Sequence, residues 1–450
     1  MRSLRLCCMA SAPRLLCIAA LLASDRACAA GFALNEMSAA SIGNAFAGNA
    51  AIAEDASTVY YNPAGLARMT GRQFTATGSA IRPSVRFSNQ GSASATGSAL
   101  IGGDGGDAGK WTPVPALYYA TDVRPGLRFG IGLQSPFGLK TEYGAGWVGR
   151  YQALNSELKT LDINPAVSYQ ISEKLSLGMG ISAQYAEVDL SRAIDFGSVC
   201  IGRLGAAACV PSGFRPQAKD GRIALDGSDW AFGFNLGALF TPSANSRIGL
   251  AYRSPMRHEF SGGMARFDKP AGLPGPLAAA AAFADTGATA GLDLPESINL
   301  SGYLELDPKW SVMGDINWTR WSRFNELRVR FSNGAPDSVV REEWRNTVRV
   351  GVAVNYRYND AWKMRAGLAY DQSPVKDEFR TPSVPDANRT ILGLGVQYKP
   401  VPNSAWDFGY AHVFIKDASI NRADPPVGGT LTGNYSNDVN ILSVQYSHSF

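Results

Sequence analysis

Cysteine and histidine are scarce in this chain, neither charge sign dominates, and long apolar runs are missing. The 450 residues hold six cysteines and three histidines. The histidines, His258, His412 and His448, stand far apart and none lies beside a nucleophile motif. With no cluster of His, Cys, Asp and Glu at metal-ligand spacing either, neither an enzyme nor a cofactor is expected. The formal charge is +4, with no basic stripe of the kind nucleic acid requires, so no nucleic-acid partner is expected. Past the first thirty residues no apolar stretch reaches the roughly 18 residues that a membrane helix needs.

The chain opens MRSLRLCCMASAPRLLCIAALLASDRACA. Arg2, Arg5 and Arg14 form a positive head, Leu15 to Ala23 a short apolar core, and Ala27-Cys28-Ala29 a cleavage site of small residues. Residues 1–29 read as a secretory signal, with the mature chain starting at Ala30. Asp25-Arg26 ahead of Cys28 argues against a lipid-anchored cysteine. Removing the signal takes four arginines and one aspartate, which lowers the formal charge from +4 to +1. It also leaves only Cys200 and Cys209, nine apart, in an exported protein. A disulfide clipping one loop is expected, against the alternative of two free thiols. The remaining classes are a soluble exported protein and an outer-membrane β-barrel.

Strand patterning separates these two. In 310-WSVMGDINW-318, Trp310, Val312, Gly314, Ile316 and Trp318 share a face. The pattern returns in 362-WKMRAGLAY-370 and in 406-WDFGYAHVF-414, where His412 is the one blemish. In each, an aromatic opens the apolar face and another closes it eight residues later. Eight residues at about 3.3 Å span ~26 Å, or ~20 Å along the membrane normal at a tilt near 40°. That matches the apolar band of an outer-membrane barrel between its aromatic girdles. Short turns such as 122-DVRPG-126, 170-QISEK-174 and 399-KPVPN-403 alternate with long connections at 88–113, 138–156, 191–228, 262–294, 333–343, 373–388 and 421–437. This asymmetry is that of a barrel with periplasmic turns and outer loops. The reading is all-β: a transmembrane antiparallel barrel of about fourteen strands over residues 72–450. The last strand, 438-DVNILSVQYSHSF-450, ends on Phe450 and resembles the signal read by the outer-membrane barrel assembly machinery.

Residues 30–71 do not alternate. They are rich in small residues and short helical pieces, with Asn62-Pro63 as a helix cap and first turn and Gly71 as a stop. A lumen of about fourteen strands is wider than side chains fill, so this segment is expected to fold back as an N-terminal plug, or hatch.

This segment resembles the plug of the FadL-type long-chain fatty-acid transporter family, which also includes aromatic-hydrocarbon channels. The resemblance rests on Ala30-Gly31-Phe32, Leu34-Asn35-Glu36, 51-AIAEDA-56 and Asn62-Pro63-Ala64. It continues in 135-SPFGLKTEY-143, 318-WTRWSRFNEL-327, 362-WKMRAGLAYDQSPV-375 and 383-SVPDANR-389, and so covers nearly the whole mature chain. It implies uptake of hydrophobic compounds across the outer membrane of a Gram-negative bacterium, long-chain fatty acids ahead of alkylaromatics, by a monomer. A general porin or an outer-membrane enzyme are the rival readings.

The resemblance also implies roles for residues. The headgroup-binding basic positions fall on Arg192 and Arg328, with Phe32 at the ligand site and Asn62, Pro63 and Ala64 in the gate. An arginine in a barrel is equally read as a member of a lumen or rim ion pair. In 135-SPFGLK-140, Pro136 removes a ladder donor and Gly138 weakens pairing. A strand ending at its loop would look the same, but the resemblance implies a lateral opening at Pro136, Phe137 and Gly138. The stretch 277-LAAAAAFA-284 reads as a short apolar helix that packs on neighbouring loops or binds ligand.

Overall fold

A computed structural model describes residues 31–94, 97–424 and 428–450, so the expected signal at 1–29 lies outside the described residues. Strands account for most of the chain, and several are interrupted within their length. In chain order they are β1 (Gln73–Asn89), β2 (Thr112–Arg124), β3 (Leu127–Gln134 and Gly138–Glu142), β4 (Asn155–Gln170) and β5 (Leu175–Asp195). Next come β6 (Asp220–Ser243), β7 (Ser246–Arg253 and Met256–Asp268), β8 (Thr286–Leu294 and Ser297–Glu305) and β9 (Trp310–Thr319 and Glu326–Phe331). The last are β10 (Ser338–Arg341 and Thr347–Arg357), β11 (Trp362–Asp371), β12 (Arg389–Val401), β13 (Ser404–Ile415 and Ala418–Asp424) and β14 (Gly429–Ser449). Each pairs antiparallel with the next, and β1 pairs with β14 from Gln73↔Ser449 to Asn89↔Gly433, which closes a fourteen-stranded barrel.

Alternation sorts the two faces. On β9, Trp310 and Ile316 are exposed, whereas Ser311, Met313 and Asp315 are buried in the lumen. Leu368 and Tyr370 on β11 and Phe408 and Phe414 on β13 continue the outward apolar belt. At the end with the short turns, Trp310 stacks near Tyr356, Trp362 near Tyr398 and Trp406 near Tyr446, with ring centroids 4.5, 4.6 and 4.8 Å apart. These cross-strand pairs form one girdle.

The loop expectations at 191–228, 262–294, 333–343 and 421–437 are corrected. Much of each is strand: β5 and β6 stay paired out to Asp195↔Asp220, β7 and β8 out to Ala265↔Thr286, and β14 begins at Gly429. Beyond the bilayer a strand still needs its ladder but no longer needs an apolar outer face, so the pattern that marks a membrane strand fades while the strand goes on. The expected helix at 277–284 is only Gly275–Ala278, followed by a 3-10 turn at Ala281–Phe283. Leu277 packs into a small cluster with Phe196 and Phe214 around the bonded Cys200 and Cys209.

Residues 31–71 lie inside the barrel. They form α1 (Ala39–Gly43), α2 (Asn49–Ile52), α3 (Thr58–Tyr61) and a 3-10 turn, Pro63–Arg68. Met37, Ile42, Phe46, Val59 and Leu66 are buried against inward residues such as Tyr118, Ala166, Ile391 and Ile441. Glu54 pairs with Lys363 and Arg365 of β11, and Arg365 also reaches Asp407 of β13 at 2.7 Å. These contacts tie the segment to the wall by charge as well as by packing.

Candidate functional site

The Asn-Pro-Ala turn is held by both of its neighbours. Asn62 Nδ2 donates to Ala50 O at 2.6 Å and to Ala238 O of β6 at 3.1 Å, while its Oδ1 accepts from Ala64 N at 3.1 Å. Ala64 O accepts from Ser168 and Ser176 of β4 and β5, at 3.1 and 3.0 Å. The wall makes room with Gly237, where a Cβ would stand 2.0 Å from Asn62 Oδ1. Pro63 starts a 3-10 turn instead of an α-helix, and the turn ends at Arg68, before Gly71.

The wall is interrupted at the third strand. β2 pairs with β3 only from Leu117↔Leu133 to Arg124↔Leu127, so residues 112–116 of β2 have β1 on one side and no strand partner on the other. Pro113 and Pro115 fall on that stretch, where proline is tolerated because no ladder needs its missing N–H. On β3 the chain bulges between Gln134↔Asp162 and Gly138↔Lys159. Phe137 turns inward to 8% exposure, its N–H donating to Thr160 Oγ1 at 3.0 Å. The N-terminal segment supplies the missing partner: Leu34 N donates to Pro136 O at 2.8 Å, and Gly138 N donates to Phe32 O at 3.0 Å.

Two voids meet near this break. The first, about 180 Å³, lies towards the long-connection end and is lined mainly by apolar side chains, including Phe32, Leu158, Phe260, Leu292, Phe324 and Val384. The second, about 540 Å³, shares Phe32, Leu158 and Val384 with it. It extends past Phe137 and Gly138 to Ser135, Pro113 and the exposed Trp111. The second void therefore runs from Phe32 to the stretch of wall where β2 and β3 part. Phe32 sits at the junction, 5.0 Å from Trp321, 5.3 Å from Trp344 and 5.7 Å from Phe324 by ring centroids.

Of the two expected basic positions, Arg192 lines the first void and pairs with Asp424 at 3.0 Å. It lies within β5, three residues short of the strand's end. Arg328 is not brought to the void. Its neighbours Leu327 and Val329 line it, and Arg328 points the other way to Glu326 at 2.6 Å and Asp337 at 2.9 Å. Two further charged residues on the lining, Arg422 and Glu342, carried no sequence signal. Glu342 sits between the two halves of β10, beyond the outward apolar face of Val348, Val350 and Val352. It is 5% exposed, accepts from Trp344 Nε1 at 2.8 Å, and burial pushes its carboxyl up to about 8. The Trp344 hydrogen bond and the nearby Arg422 charge oppose that rise.

Comparison with known proteins agrees with this architecture. Residues 20–450 match the family described as outer membrane protein transport protein (OMPP1/FadL/TodX). The long-chain fatty acid transport protein of Escherichia coli O157:H7 is 31% identical over 424 residues, covering 90% of this chain and 93% of that protein. The crystal structure of a Pseudomonas aeruginosa FadL homologue superposes with a TM-score of 0.85 at 23% identity, over 94% of this chain and 100% of that one. The Pseudomonas putida toluene transporter TodX superposes with a TM-score of 0.68 at 18% identity, over 92% of this chain and 98% of that one.

Proposed function

The chain belongs to the outer membrane protein transport family (OMPP1/FadL/TodX), and from that premise we propose that it takes up long-chain fatty acids and releases them sideways into the bilayer. The observation that carries this reading is the pair of adjoining voids, one lined mainly by apolar side chains, the other reaching the stretch of wall where β2 and β3 part. A long alkyl chain leaving through the periplasmic end would face water at roughly 0.8 kcal/mol per methylene, on the order of 12 kcal/mol for about fifteen of them. An exit into lipid avoids that cost. In this reading residues 30–71 are the plug, held by Asn62, Pro63 and Ala64, and Phe32 is the apolar contact between entry void and exit.

Fatty acids are placed ahead of aromatic hydrocarbons because one cation on the lining of this mainly apolar void, Arg422, is in no ion pair among the described residues, while Arg192 beside it is shared with Asp424. A hydrocarbon has no use for them, whereas a carboxylate entering low dielectric needs a counter-charge. The barrel would work as a monomer, delivered to the membrane through its terminal Phe450 strand. Uptake of labelled oleate and labelled toluene by cells with and without the protein tests the proposal. Oleate uptake should depend on the protein and exceed the response to toluene. Equal rates in both strains for both compounds would remove the transport reading, and toluene uptake alone would favour the hydrocarbon channel.

A further inference from the structure

Glu342 differs from the other carboxylates of the apolar void in having no cation to answer it. Four carboxylates line that void: Glu157, Asp226, Glu342 and Asp424. Glu157 is held by Lys140 at 2.6 Å and Lys159 at 3.2 Å, Asp226 by Arg266, and Asp424 by Arg192 at 3.0 Å. Among the described residues Glu342 makes no ion pair, and its one side-chain hydrogen bond is the one it accepts from Trp344 Nε1. On the cationic side Arg422 is likewise outside every ion pair among the described residues, although its charge is felt at Glu342.

A buried carboxyl without a cation keeps its proton. It then has an O–H to give, and giving it to nothing in an apolar void is costly. A ligand oxygen would accept it. We propose that protonated Glu342 is the specificity-determining group of this void, donating its O–H to one oxygen of an anionic head while Arg422 supplies the counter-charge to the other. The void then accepts long-chain anions while Glu342 holds its proton and turns them away once it has lost it. This rests on the reading of the void as the ligand site.

The charged groups that share the void with Glu342 are Arg422 and Asp424 from β13, Arg192 from β5, Asp226 from β6 and Glu157 from β4, and of these Arg422 acts on its carboxyl. All but Arg422 are already paired, so Arg422 is the cation a ligand can take without displacing a protein partner. Ionised Glu342 would take that charge for itself and set a second negative group against the incoming anion. The sign follows: anion binding is present below the raised titration range of Glu342 and is lost as pH climbs through it.

Titration calorimetry on the intact barrel in lipid nanodiscs tests this with dodecanesulfonate, an anion throughout the range, and dodecanol, which is neutral. If only the protonated form binds, sulfonate affinity should fall on the order of thirtyfold between about pH 6.5 and about pH 9.5, with dodecanol unchanged. Glu342→Gln, which keeps a neutral donor, should hold the tight affinity at both pH values. Arg422→Gln should weaken sulfonate at both while leaving dodecanol alone. A flat sulfonate profile in the native protein, or a pH slope that survives Glu342→Gln, overturns the proposal. Dodecanol failing to bind at either pH would overturn it together with the ligand-site reading beneath it.

Discussion

At the scale of single residues, the first void is a competition for arginines. Arg192 is committed to Asp424, so a carboxylate reaching Arg192 must displace an aspartate already in place. Arg192→Ala should weaken fatty-acid binding about tenfold or more, since a charge-assisted hydrogen bond contributes roughly 1.5–3 kcal/mol and the variant also leaves Asp424 unanswered. Asp424→Asn should have the opposite sign, because it frees Arg192. Equilibrium binding of oleate and of a hydrocarbon to both variants checks this, and equal losses for the two ligands would indicate damaged packing. The resemblance led to Arg192 but also to Arg328, which faces away. In a strand the side-chain period is two, so an alignment correct in position and off by one in register sends a side chain to the other face. Glu342 and Arg422 were not visible at all. They are eighty residues apart in sequence, each an ordinary rim charge by type, and only the closed barrel brings them to one void.

At the scale of elements, the membrane-crossing parts were legible and the parts beyond them were not. Trp310, Trp362 and Trp406 each announce a girdle, and the first two open their strands while Trp406 follows two residues after its strand begins at Ser404. The outer extensions of β6, β8 and β14 carry no such mark and read as loops. The third strand was read from Pro136 and Gly138, yet the break in pairing has a second edge. Pro113 and Pro115 in β2 were the missed signal, two prolines on alternate positions of a strand whose neighbour has left it. Gly138 lines the same void as Pro113, and a Cβ there would lie 2.9 Å from Leu34 Cδ1. Gly138→Arg should therefore fill the passage and abolish oleate uptake, with the barrel still folded by heat-modifiable gel mobility. Normal uptake by a folded Gly138→Arg barrel would count against release at this strand.

At the scale of the whole molecule, ring closure of β1 on β14 and the even strand number follow from the two-residue period and the turn asymmetry, which is why the barrel was legible from sequence. The wall opening has a different origin. Where strand three parts from strand two it hydrogen-bonds to Phe32 and Leu34, which lie outside the ring of strands, and those bonds are expected to hold it there. Without them, the existing register from Leu117↔Leu133 would continue to set residue 115 opposite residue 135. Deleting residues 31–36 should let that happen, so a Pro115→Cys, Ser135→Cys pair should cross-link in the truncated chain and stay apart in the full one. No difference between the two would show that strand three holds its bend unaided. A cross-link in the truncated chain would also bear on the order of assembly: ring closure would not depend on the tail and the break in the wall would, so a barrel whose tail had not yet entered would carry an unbroken wall.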